Sequence, residues 1–141
     1  MVCADHSGFV AKELFKEKLI KRSLPVLDVG CYTEKDCDYY DFLHLANKRI
    51  KNSWGTFGVG FCRSGQGMNI AANKMIGIRA ALTMDDNFAA LAIMHNAANF
   101  FSIPAGFISE EMMDKIIDQL LEARFQGGRH QNRLQKIGDY V

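Results

Sequence analysis

The chain reads as an α/β protein, a three-layer Rossmann-like fold in which a five-stranded parallel sheet carries helices on both faces and a C-terminal helix reaches a partner subunit. Three observations predict it. Short apolar runs alternate with amphipathic stretches from end to end, and parallel strands need such crossovers. The stretch Gly58–Lys74, GVGFCRSGQGMNIAANK, ends an apolar run on a cysteine and passes through glycines into a helix. Last, Gly127–Gly128 stops a long amphipathic helix and starts a polar one with little apolar surface to bury against its own chain.

The elements follow in order. Met1–Ala4 is a short strand, and Phe9–Arg22 a helix with Val10, Leu14, Phe15, Leu19 and Ile20 at helical spacing among lysines. Pro25–Val29 reads as the second strand, Tyr39–Asn52 as the second helix, and Thr56–Phe61 as the third strand, with Val59 and Phe61 on one face. Gly67–Asn73 is the helix after the glycine loop. Arg79–Thr83 is a strand, Asp86–Met94 a helix and Phe100–Ile103 the last strand. Ser109–Arg124 closes the alternation as a helix striped by Met112, Met113, Ile116, Ile117, Leu120 and Leu121. Its methionines read as core or interface filler, not as a cofactor box.

Composition narrows the function classes. With 141 residues, 48% hydrophobic and 23% charged, residues 1–141 suit a single domain with a real core. A formal net charge of +1 gives no reason to expect nucleic acid or a membrane as partner. The cysteines Cys3, Cys31, Cys37 and Cys62 form no C-x-x-C pair, and the N-terminus shows no basic segment followed by a long apolar run, so a reduced, cytoplasmic protein is expected. Cys31 and Cys37 with His44 match no common zinc spacing, and no metal or cofactor is expected.

Chemistry concentrates on Cys62. Gly65 and Gly67 let the backbone turn tightly and bring N–H groups toward an anion, and the helix start adds free donors and a positive dipole end. Such a field favours a thiolate, whereas a cysteine among apolar groups is inert; both readings of Cys62 stay open. Three polar clusters are expected beside it at the carboxyl edge of the sheet, where ligands of such folds collect: Asp5-His6, Asp38-Tyr39 and His95-Asn96. Arg129 and Arg133, four residues apart, share a helix face and suit a phosphate. A dinucleotide fingerprint is not supported, since Ile70 stands where its third glycine would be.

DHSGF near the start, the block Cys62–Leu82, HNAAN at His95–Asn99 and GGRHQNR at Gly127–Arg133 resemble the RpiB/LacAB sugar-phosphate isomerase family, that of ribose-5-phosphate isomerase B, over nearly the full chain. The resemblance implies a metal-free aldose–ketose isomerase of the non-oxidative pentose phosphate branch, interconverting D-ribose 5-phosphate and D-ribulose 5-phosphate through an enediolate. It implies a proton shuttle at Cys62, an oxyanion hole from the amides of the Gly65–Gly67 loop with the Ser64 hydroxyl, and ring opening at His95. Asp5 and Asn96 would bind sugar oxygens, Tyr39 would line the pocket, and His6, Arg129 and Arg133 would bind phosphate, the arginines coming from the partner of a homodimer, or of a tetramer. In the family's pattern the first strand starts upstream of Met1, so a shortened first strand is expected. That pattern has a glycine at Arg63 and a phosphate-binding arginine at Gly106, which leaves two expectations: a relocated cation, Arg63 in place of residue 106, or an Arg63 that points to solvent with the phosphate held less tightly. A six-carbon sugar phosphate, allose or galactose 6-phosphate, is the alternative substrate. A non-catalytic phosphosugar-binding subunit is the alternative outside enzymes, against which Cys62 and His95 argue.

Overall fold

The structure, a computed structural model, describes residues 1–50 and 56–138. Its apolar runs form β1 (Val2–Ala4), β2 (Gly58–Cys62), β3 (Ala80–Leu82) and β4 (Phe100–Pro104). All pair in parallel, in the order β1-β2-β4-β3, with Val2 opposite Val59 and Gly58 opposite Phe100. The helices are α1 (Phe9–Lys21), α2 (Tyr39–Ile50), α3 (Gln66–Ala72), α4 (Asp86–Asn96), α5 (Glu110–Glu122) and α6 (Arg129–Ile137). Lys51 and Asn52, predicted to end the second helix, lie outside the described residues. Among the described residues no helix is long and apolar enough to cross a membrane.

Side chains alternate across a strand, and this sorts the core into two layers. Val2, Ala4, Val59, Phe61, Phe101 and Ile103 pack toward α1, α4 and α5, while Cys3, Cys62 and Phe100 pack toward α2 and α3. The α5 stripe buries Met113, Ile116, Ile117 and Leu120, as its spacing predicts, and leaves Leu121 exposed. On α1 the buried face is Ala11, Lys12 and Phe15, whereas Val10 and Ile20 are exposed. Phe15 meets Phe61 with ring centroids 5.3 Å apart, a tilted pair that ties α1 to β2.

The expected five-stranded sheet has four strands. Residues 27–31 do run beside β1: Val2 N donates to Leu27 O, and Val29 N donates back to Val2 O. A regular parallel ladder would take Ala4 N to Val29 O, but Ala4 N donates to Gly30 O at 2.7 Å while Cys31 N donates to Ala4 O at 3.0 Å, so both groups of one peptide turn to Ala4 and the regular pattern ends there. Only Asp28 forms a bridge, with Val2. Gly30 sits at φ 113°, a conformation open to glycine, and a Cβ there would strike the Phe42 ring.

Charge reinforces the backbone bonds that hold this segment. The fully buried Lys12 ammonium donates to both Asp28 carboxylate oxygens and to Cys31 O, each at 2.7 Å, and lies 3.0 Å from Glu13. Lys16 reaches the same carboxylate at 2.8 Å. Burial pushes the Asp28 carboxyl up, but hydrogen bonds from Lys12, Lys16 and the Gly30 N–H outweigh it and hold Asp28 below the ordinary range. Asp28→Asn leaves a buried ammonium short of its main counter-charge and is expected to lower the unfolding free energy by about 3 kcal/mol in urea titration. Asp114→Asn, which removes the more exposed pairing of α5 with Lys18 and Arg22 of the α1 region, is expected to cost under about 1 kcal/mol in the same measurement.

Candidate functional site

The sheet's carboxyl edge is built around the end of β2. Gly58, Gly60 and Cys62 share one face of that strand. A Cβ at Gly60 would lie 2.7 Å from Phe100 Cζ and 2.9 Å from Met68 Cγ, so glycine lets α3 and the Phe100 ring close onto the strand. Cys62 ends the row, 5% exposed, in the cluster that holds Cys3, Leu43, Met68 and Phe100. Its chain then turns through Gly65, at φ 73°, where a Cβ would sit 2.5 Å from Leu82 Cδ1. The fully buried Ser102 hydroxyl donates to Gly65 O at 2.7 Å and fixes the turn. No side chain caps α3; Gln66 N approaches only Ser64 Oγ, at 3.4 Å, so first-turn donors remain for an anion.

Asp5, His6 and Tyr39 join this edge. Asp5 caps the three-residue helical turn after β1, its Oδ1 accepting from Gly8 N at 2.9 Å and from the Ser7 hydroxyl at 2.7 Å. Ser7 Oγ in turn accepts from Arg63 N at 3.1 Å, which links Asp5 to the cysteine loop. His6 Nδ1 lies 3.1 Å from Cys37 O, 3.2 Å from Cys37 N and 3.3 Å from Asp36 Oδ1. The Tyr39 hydroxyl lies over Gly67, 2.8 Å from where a Cβ would stand. Asp5, His6, Asp36, Cys37, Asp38 and Tyr39 line an open cavity of about 420 Å³, which Cys62 does not line. Among the described residues no group of acids, histidines and cysteines is arranged to hold a metal ion.

Arg63 is exposed. Its carbonyl accepts from Gly106 N at 2.9 Å, and its Cγ lies 3.4 Å from a Cβ built on Gly106. Residues 63 and 106 are therefore in contact.

His95 and Asn96 are not at this edge, and the expectation that they converge there with Cys62 is corrected. A helix leading into a parallel strand ends at the strand's amino end. Asn96 precedes Phe100, which pairs with Gly58 at the start of β2, whereas Cys62 pairs with Pro104 at the finish. Four strand steps at about 3.3 Å each separate the levels by about 13 Å. There His95 stacks on His130 of α6, ring centroids 4.2 Å apart and 4° from parallel. Arg129 and Arg133 stand exposed beside His130, which is 5% exposed. Burial, with His95 and the guanidinium groups of Arg129 and Arg133, pushes the His130 imidazole below its ordinary value. Arg129 Nε approaches His130 Nε2 at 3.5 Å.

Cys62, Ser64, Gly65, Gly67, Asp5, His6, Tyr39 and Arg63 thus gather at the carboxyl edge, and His95, Asn96, Arg129 and Arg133 at the opposite edge. Sequence reasoning missed His130, Ser7 and Ser102. His130 had a signal, since it lies four residues before the apolar Leu134 on α6 and both are buried.

Comparison with known proteins agrees with this architecture. The probable ribose-5-phosphate isomerase B of Mycoplasma genitalium is 39% identical over 141 residues, covering 99% of this chain and 93% of the relative. The ribose-5-phosphate isomerase B of Escherichia coli is 32% identical over 133 residues, covering 94% and 89%. Among solved structures, a ribose 5-phosphate isomerase from Thermotoga maritima superposes with TM-score 0.93 at 39% identity, covering 99% of this chain and 96% of the other. The Mycoplasma genitalium enzyme with bound ribulose-5-phosphate superposes with TM-score 0.89 at 38% identity, covering 96% and 91%. A family model described as Ribose/Galactose Isomerase matches residues 1–137, and the chain belongs to that family.

Proposed function

We propose that the chain interconverts D-ribose 5-phosphate and D-ribulose 5-phosphate, with each active site assembled from the carboxyl edge of one copy and the amino edge of a second. The observation that carries the reading is the solved relative holding ribulose-5-phosphate, at TM-score 0.89 over 96% of this chain. The division of the polar residues between two edges supports the assembly, because a two-fold dimer can bring opposite edges of two copies together twice. Met84, Phe88 and Leu91 are exposed at four- and three-residue spacing around α4, beside the edge strand β3, and a second copy would cover them.

In this reading His95 of the second copy gives a proton to the ring oxygen as its bond to C1 breaks and the anomeric hydroxyl yields its proton to solvent, leaving the open aldehyde. Cys62 Sγ takes the proton from C2 and returns it to C1, the proton of the C2 hydroxyl passes to the C1 oxygen, and the charge that develops on these oxygens falls beside the first-turn amides of α3 and the Ser64 hydroxyl. Asp5 Oδ1 is occupied by Gly8 and Ser7, which leaves Oδ2 to orient a sugar hydroxyl. Asn96 would bind a further sugar oxygen, and Tyr39 would wall the pocket over Gly67. The phosphate would lie among His6, Arg129 and Arg133, joined by Arg63, whose stem covers Gly106.

The activity is tested by a coupled assay of ribose 5-phosphate against allose and galactose 6-phosphates. The highest kcat/KM is expected for the five-carbon sugar, and a higher value for either hexose phosphate overturns the assignment. Assembly is tested with Cys62→Ala and His95→Ala, each expected to be inactive alone. Co-refolded in equal amounts they should recover about a quarter of parental activity, since half the dimers are mixed and each mixed dimer has one intact site. No recovery would place the site within one chain. Arg63→Gly should raise KM about tenfold or more with kcat within about threefold, as loss of one charge-assisted phosphate contact requires; an unchanged KM refutes the relocated cation.

A further inference from the structure

We propose that His130 is a positioning residue for His95, its ring serving as the flat surface that sets the plane of the His95 imidazole at the substrate. The proposal rests on the isomerase reading above, in which His95 handles the ring-opening proton. Among the described residues no hydrogen bond to a protein group holds the His95 ring; the contact that orients it is the stack on His130, 4.2 Å between centroids and 4° from parallel. A ring held this way keeps both nitrogens for a ligand, whereas a ring held by a hydrogen bond would have spent one of them.

His130 is fitted to the task by its place on α6. His130 and Leu134 make the buried face of the helix, and Arg129 and Arg133 stand on its exposed side. The helix packs on the C-terminal half of the molecule through α4, the element that carries His95. One helical turn therefore carries His130 and both arginines. A ring kept neutral by its surroundings also presents its face to His95 without repelling a proton there. The inference assigns His130 no contact with substrate; it acts through His95.

Two apolar replacements separate a flat face from mere filling of space. His130→Phe keeps an aromatic plane, and His130→Leu fills the volume without one. With ribose 5-phosphate as substrate, His130→Phe is expected to retain kcat within about threefold. His130→Leu is expected to lose about tenfold or more in kcat with KM within about twofold and an unchanged melting temperature, because a displaced catalytic group costs rate and not binding. Equal kcat in the two folded variants overturns the proposal, as does a tenfold loss in His130→Phe. His95→Gln is run beside them. If it is inactive while His130→Leu is as active as His130→Phe, the positioning role falls and the reading of His95 stands; if His95→Gln is fully active, the reading of His95 falls and takes the positioning role with it.

Discussion

A helix that links two parallel strands must run back against them, and this constraint governs where every functional group of the chain can be. Residues that follow a strand gather at the carboxyl edge, and residues that lead into one gather at the amino edge. Asp5, His6 and the loop from Arg63 to Gly67 follow β1 and β2. His95 and Asn96 lead into β4, and α6 joins them there by stacking His130 on His95. Neither edge alone has a thiol, an imidazole and paired guanidinium groups. In the reading proposed above, the two edges are complementary parts of one site that two copies complete.

At the carboxyl edge, side-chain size is what places the cysteine. Gly58 and Gly60 leave no Cβ on the face toward α3, so the Phe100 ring and Met68 come down onto the strand. Cys62 is the first residue of that row with a side chain, at the step where the strand ends. It is enclosed in the packing that also holds Met68 of α3. Ser102 secures the next peptide from below, through Gly65 O, and Leu82 closes the space that a larger residue at 65 would need.

Much of this was legible in the sequence because period and punctuation are local. The α5 stripe, the strand-loop-helix around Cys62 and the pair Arg129 and Arg133 on a short terminal helix can be read from spacing alone, and the structure has each of them. Other features depend on what the chain meets. The segment at residues 25–29 has a strand's composition, but the turn of the Gly30–Cys31 peptide toward Ala4, which ends the regular ladder, depends on what the segment meets at β1. Lys12 looks like a solvent-facing residue of an amphipathic helix until Asp28 and Cys31 O surround it. The misplacement of His95 is of another kind, since the order of elements already contained the answer: a residue just before a parallel strand cannot lie at that strand's carboxyl end.

The buried ammonium of Lys12 has a consequence for how this molecule behaves in crowded solution. β1 is an outer strand of the sheet, and residues 27–31 cover its free side, bonding the backbone of Val2 and Ala4 while Asp28 ties the segment to Lys12. Were that segment displaced, the outward amides and carbonyls of β1 would become a template for strands of other molecules. The ion pair adds to the backbone bonds that keep this edge covered.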